Sequence, residues 1–190
     1  DLGWSVSEIG LGCWAIGSEW GDVSDEDARK TLQTSLDKGV NFFDTADVYG
    51  DGRSEKFVGE LLKSTSEKIY VATKTGRRLD PHNAEGYNIN QIEPFVDRSL
   101  LNLGVDAIDL MQLHCPPTEA YSKAETYSMM DQLVQKGKIK YYGVSVETVE
   151  EAMEAIKYPN IKSVQIIFNI FRQKPAEVFF KEAAKKDIGI

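Results

Sequence analysis

Six times along the chain a short apolar run gives way to a stretch with helical spacing of its apolar residues. That alternation narrows the fold more than any other feature. The apolar runs cover residues 9–14, 41–44, 69–73, 108–113, 139–145 and 163–167. Helices are expected between them. The first is capped by Ser24 and carries Asp25, Glu26 and Asp27 in its first turn, where the helix dipole favours acids. The second opens at Ser54-Glu55 and packs through Phe57, Val58, Leu61 and Leu62. Others follow over residues 90–103, 124–135 and 148–156, and the last runs from Pro175, suited to a first turn, to Lys186. Residues 187–190 read as the opening of a seventh strand. Strict alternation implies parallel strands joined by right-handed crossovers.

A doubly wound sheet and a (β/α)8 barrel both begin in this way. Unit lengths are even, polar residues recur at the C-terminal ends of successive runs, and no glycine-rich phosphate fingerprint follows the first run. These features favour the α/β class with a (β/α)8 TIM barrel, in one domain across residues 1–190. A barrel takes roughly 250 residues. A chain of 190 residues is therefore expected to hold about six to six and a half of the eight units, truncated on the C-terminal side, with apolar edges exposed.

Composition removes several classes of function. Lys plus Arg number 22 against 30 Asp plus Glu, a net charge of −8, which argues against a nucleic-acid partner. No apolar run approaches the ~20 residues of a membrane span, and no stretch resembles a signal peptide. The two cysteines, Cys13 and Cys115, sit beside apolar residues and read as free thiols in a reducing compartment, which points to the cytoplasm. No group of residues has metal-site spacing.

The chemistry gathers on four residues. Asp44 ends the second apolar run and Tyr49 follows in the loop; Lys74 closes the third run and His114 the fourth. In a parallel sheet all four collect at one rim. An ammonium near a phenol eases loss of the phenolic proton, a carboxylate beside the lysine fixes its charge and position, and an imidazole can donate to a substrate oxygen. Such a set would protonate an oxygen gaining negative charge, as a carbonyl oxygen does on receiving hydride. The hydride itself would require a nicotinamide cofactor. Each residue also has a plainer reading. Tyr49 alone would be a loop aromatic and His114 alone a core histidine. Cys115 reads as an inert thiol, His82 as solvated and idle, and residues 147–154 as a solvated helix face.

The segments Gly10-Leu11-Gly12-Cys13-Trp14, Asp44-Thr45-Ala46-Asp47-Val48-Tyr49-Gly50, Lys74 after its strand, Leu113-His114 and Gly143-Val144-Ser145 together resemble the aldo-keto reductases. The resemblance covers essentially the whole chain. It implies reduction of aldehydes or ketones by NADPH (NADP+ as the oxidised form) on a barrel, with a small-molecule carbonyl as substrate. By position it makes Tyr49 the general acid, Lys74 the cation that eases its proton loss, Asp44 the lysine's anchor and His114 the group that orients the carbonyl. It places Ser145 and Gln165 on the nicotinamide carboxamide, with Asp44 and the Gly12, Cys13 and Trp14 backbone alongside and Asn169 following Gln165. Tyr49 and His114 would meet the substrate; Trp14 and Trp20, read from the residues alone, either line its mouth or merely cover the barrel end. Two departures stand out: Val146 where many members carry Asn, and Phe168 where Tyr is frequent. The family's later segments supply the aromatic that stacks on the nicotinamide and the basic loop that holds the adenosine phosphate. The alternatives are a nicotinamide-binding regulatory subunit with little turnover and an inactive truncated fragment.

Overall fold

The computed structural model describes residues 2–18 and 21–190. Six strands form one sheet in sequence order: β1 (Leu11–Gly12), β2 (Phe42–Asp44), β3 (Tyr70–Thr75), β4 (Ile108–His114), β5 (Ile139–Val146) and β6 (Ser163–Ile166). Every neighbouring pair is parallel, as the alternation requires. The helices between them are α1 (Asp25–Asp37), α2 (Arg53–Ser64), α3 (Ile89–Leu103), α4 (Ala124–Gln135) and α5 (Val149–Ala155). Two short helices, α6 (Lys174–Glu177) and α7 (Phe179–Lys185), come after β6.

The sheet is curled. In a flat sheet β2 and β6, four strands apart, would lie about 19 Å from one another. Instead the Gln165 amide nitrogen donates to the Asp44 carboxylate at 3.1 Å. The strands thus make an open half-barrel, the beginning of a (β/α)8 barrel, with a cavity of about 940 Å³ on its inner side. Asp44, Gln112 and Gln165 all line that cavity.

Side-chain caps set the N-termini of three of the helices. Ser24 Oγ accepts from the Asp27 amide at α1, and Asn88 caps α3 through the Asn90 and Gln91 amides. At α5, Thr148 and Glu151 form a reciprocal capping box. The apolar faces of the helices meet the outer face of the sheet, where Leu32, Val58, Ile92, Val96, Met130 and Leu133 are almost wholly enclosed. Gly59 lets α2 press on the end of α3: a Cβ there would lie 2.6 Å from the Leu103 carbonyl oxygen.

Three expectations are corrected. The first strand shrinks from 9–14 to Leu11–Gly12, because β2 is its one partner in the described sheet. The third strand continues through Lys74 to Thr75, so the lysine lies within it and not at its end. The helix expected to run to Lys186 breaks at Val178, whose backbone leaves helical geometry. The break leaves Val178 in solvent and turns Phe179 fully into the core. Beyond it, Gly189 bridges Ser163 in parallel, where a seventh strand was expected to open. The edge beside β6 and the loop after it expose Ile167, Phe168, Ile170 and Phe171.

Candidate active site

Strand ends place the site. Gly12 pairs with Asp44 in register, and one continuous row runs across the sheet from His114 on β4 to Ser145 on β5 to Gln165 on β6. Side chains on neighbouring strands at the same height share a face. Asp44 and Lys74 lie in lower rows, paired with Ala72 and Gln112, and direct contacts join Asp44, Tyr49, Lys74, His114 and Gln165 at one rim.

Lys74 is buried, and all three of its ammonium protons are matched. They go to the two Asp44 carboxylate oxygens at 2.7 and 2.8 Å and to the Thr45 carbonyl at 2.9 Å. A buried cation must be neutralised and hydrogen-bonded in this way. Its nitrogen lies 5.3 Å from the centre of the Tyr49 ring. Two more rings frame that phenol: Trp14 stacks on it at 6.0 Å and 20°, and the His114 imidazole meets it edge-on at 5.8 Å.

His114 titrates far from its ordinary range. Burial, then the charges of Lys74 and Arg77, push its imidazole down to about 3, so it stays neutral. Its Nδ1 is buried without a hydrogen-bond partner. The Gln165 amide is oriented by its bond to Asp44, which leaves its Oε1 buried and also without a partner. Ser145 Oγ lies 3.2 Å from Cys115 Sγ, and the Ser145 carbonyl accepts from the Tyr121 hydroxyl at 2.9 Å. An unsatisfied acceptor on Gln165 beside a hydroxyl on Ser145 fits the amide of a nicotinamide carboxamide.

The other expected residues fall into place unequally. Cys13 is fully buried, its amide bonded to the Asp44 carbonyl at 2.8 Å and its carbonyl taken by the Ser54 hydroxyl at 2.9 Å. Burial, with Asp44 next, pushes its thiol up to about 12. Gly12 has open space where a Cβ would stand. Asn169 spends its side-chain oxygen on its own turn, accepting from the Phe171 and Arg172 amides at 2.9 and 3.0 Å. Trp20 lies outside the described residues. Both cysteines are free thiols, as expected. His82 is exposed, as expected, and shares a hydrogen bond of 2.8 Å with the Tyr87 hydroxyl. Among the described residues no cluster suits a metal ion and no helix is long and apolar enough to cross a membrane.

Sequence reading passed over three buried polar groups near the rim. Gln112 donates to Ser163 at 3.3 Å inside the cavity, and its place in an otherwise apolar run was the available signal. Glu55 accepts from Thr73 at 2.7 Å and from Asn102 at 2.9 Å, tying α2 to β3 and α3. Asp47, between Asp44 and Tyr49, is 1% exposed.

Comparisons with known proteins agree with this geometry. The family model described as the Aldo/keto reductase family matches residues 8–190. The chain is 36% identical over 176 residues to the uncharacterized oxidoreductase YqkF of Bacillus subtilis, covering 90% of this chain and 55% of that protein. It is 33% identical to the aldo-keto reductase yakc [NADP(+)] of Schizosaccharomyces pombe, covering 88% of this chain and 50% of that one. Among solved structures, the holo form of the aldo-keto reductase AKR11C1 from Bacillus halodurans superposes with a TM-score of 0.84 at 33% identity, covering 97% of this chain and 61% of the other. The chain spans about half the length of the curated relatives it matches. With its matched span, its parallel half-barrel and its row of rim residues, the chain belongs to the aldo/keto reductase family.

Proposed function

We propose that this chain carries the proton-donating part of a reductase that converts aldehydes or ketones to alcohols with NADPH. The observation that carries the reading is the Asp44–Lys74 pair, fully hydrogen-bonded and set beneath the ring of Tyr49, with neutral His114 at the ring's edge. The NADP(+) in the name of the fission-yeast relative supports the choice of cofactor. Gln165 and Ser145 would hold the nicotinamide amide, and Asp44 would lie alongside through its bond to Gln165. The cofactor, when bound, supplies hydride to the carbonyl carbon.

The chain's own residues handle the proton. As the carbonyl oxygen gains negative charge, the Tyr49 hydroxyl transfers its proton to it, and the product leaves as an alcohol. The phenolate left behind faces the Lys74 ammonium, which Asp44 and the Thr45 carbonyl hold still. His114, neutral, donates a hydrogen bond that orients the substrate oxygen without competing as an acid. Trp14 covers one side of the phenol and limits water there. Asn169 would approach the cofactor only through its amide nitrogen, since its oxygen is engaged. We read residues 1–190 as part of one barrel domain acting on a small-molecule carbonyl in the cytoplasm, a setting supported by two unpaired thiols.

The test is turnover of simple aldehydes by the full-length protein, followed by loss of NADPH absorbance, with Tyr49→Phe beside it. Reduction lost with NADPH binding retained supports the assignment. A Tyr49→Phe protein that turns over at the original rate removes it.

A further inference from the structure

A second acid–base pair stands beside the first. Lys74 on β3 grips Asp44; four residues on, Arg78 grips the segment that carries Tyr49. The Arg78 guanidinium donates to the Asp47 carbonyl, lies 3.5 Å from the Asp47 carboxylate, and donates to Asp51 Oδ1 at 2.7 Å. Arg98, reaching over from α3, adds bonds to the Asp51 carbonyl at 2.6 Å and to its carboxylate at 2.8 Å. Asp47 and Asp51 flank Tyr49 two residues to either side.

The segment they hold is a strained one. Gly50, Asp51 and Gly52 follow each other in left-handed backbone, with φ of 57°, 53° and 88°. Glycine adopts that region freely, but Asp51 does so at a cost. Asp47 is strained electrostatically: its carboxylate oxygens are buried with no hydrogen bond, and burial, opposed by Arg78, pushes its carboxyl up to about 7. Buried ion pairs seldom stabilise better than apolar residues of equal volume. A pair kept under those terms at the base of a catalytic loop has geometry as its return.

Resting on the assignment of Tyr49 as proton donor, we propose that Arg78 is a positioning residue, clamping Asp47 and Asp51 so that the Tyr49 phenol stays over Lys74 and beside His114. It does not touch the reacting atoms; it acts through the loop. Misplacement of a catalytic group by about 1 Å can cost around a hundredfold in rate.

The experiment uses the full-length protein with NADPH and a simple aldehyde. Arg78→Met is expected to lower kcat about ten- to a hundredfold, with NADPH affinity and the aldehyde KM unchanged. Arg78→Lys, which can pair with one aspartate but not fork to both, should restore part of that loss. Asp51→Asn keeps a residue tolerant of left-handed backbone at an exposed position and removes only the charge, so it folds even where Arg78→Met does not. Its kcat should fall about threefold. Unchanged kcat in Asp51→Asn and, where it folds, in Arg78→Met overturns the clamp. So does a loss of NADPH affinity in step with kcat. Tyr49→Phe separates the two claims: inactive Tyr49→Phe with unimpaired clamp variants sinks the clamp alone, whereas active Tyr49→Phe sinks both.

Discussion

Gly17 and Gly50 meet backbone to backbone: a Cβ on Gly17 would lie 2.7 Å from the Gly50 amide nitrogen, and one on Gly50 would lie 2.5 Å from the Gly17 carbonyl oxygen. The contact seats the loop after β1 directly on the loop that bears Tyr49, and it holds Trp14 against the phenol. Arg53 secures the same seat from below, donating to the Ile16 carbonyl, to Ser18 Oγ at 2.9 Å, to the Val23 carbonyl and to Asp25.

Gly17→Ala should therefore push the two loops apart. Overpacking of this kind costs about 1–3 kcal/mol. We expect a lower denaturation midpoint, together with a fall in kcat larger than any change in NADPH affinity. A variant with unchanged kcat would show that the seat has no part in aligning Tyr49.

Lys74→Met leaves the Asp44 carboxylate partly buried without its cation. Removing one member of such a pair costs on the order of 3 kcal/mol. Loss of the positive charge under the phenol is expected to reduce kcat by about 10²- to 10⁴-fold. Urea melts and single-turnover kinetics on the same preparation would check both figures. A rate equal to the parent protein's would remove Lys74 from the proton-transfer step.

Stability should respond to pH through two buried groups of opposite sign. His114 ionises near 3 in the folded state, while an unfolded histidine does so near 6.5. The unfolded chain therefore holds more protons between these values, and the His114 contribution falls as pH drops from about 6.5 towards 3. Asp47 ionises near 7 when folded, well above its unfolded value of 3.8. Its cost thus grows as pH rises from about 4 to 7 and is constant above that. His114→Gln should flatten the acid side of the stability profile, and Asp47→Asn should flatten the rise in cost towards neutrality. Parallel profiles for parent and variants in urea melts across pH 4–8 would contradict both assignments.

Gly59→Ala tests the packing that supports the site from behind. Alanine would favour the α2 helix by up to about 1 kcal/mol over glycine. The new methyl would sit 2.6 Å from the Leu103 carbonyl and 2.7 Å from that of Asn102, so the crossing must open. A net loss of thermal stability is expected, since the clash is with backbone that cannot step aside. A raised melting temperature would show that α3 can shift freely.

Much of this protein is legible in its sequence. Helical and strand periodicities are local properties, and α4 was placed at residues 124–135, as found. Ser24 was correctly assigned as a cap because capping depends on a few neighbouring amides. Asp44, Lys74 and His114 could be named from their places at or near strand ends, because parallel strands deliver their C-terminal ends to one side, whereas Ser145 and Gln165 came only from the family resemblance. The break at Val178 escaped notice, since nothing in the local spacing marks a helix that must turn a phenylalanine inward.

What only tertiary structure decided was contact between distant positions. The curl of the sheet brought Gln165 to Asp44 across 121 positions of sequence, and so chose which of the amide's atoms is left to recruit a partner. Packing of α2 on β3 and α3 enclosed Glu55, and Arg78 from the loop after β3 lies against buried Asp47, although both residue types alone suggest solvent. Sequence determined which groups reach the rim, because the alternation of strand and helix is set by neighbours along the chain. Their pairing, and with it the neutrality of His114 and the clamp on Tyr49, depends on desolvation and close approach, which exist only once remote segments have packed together.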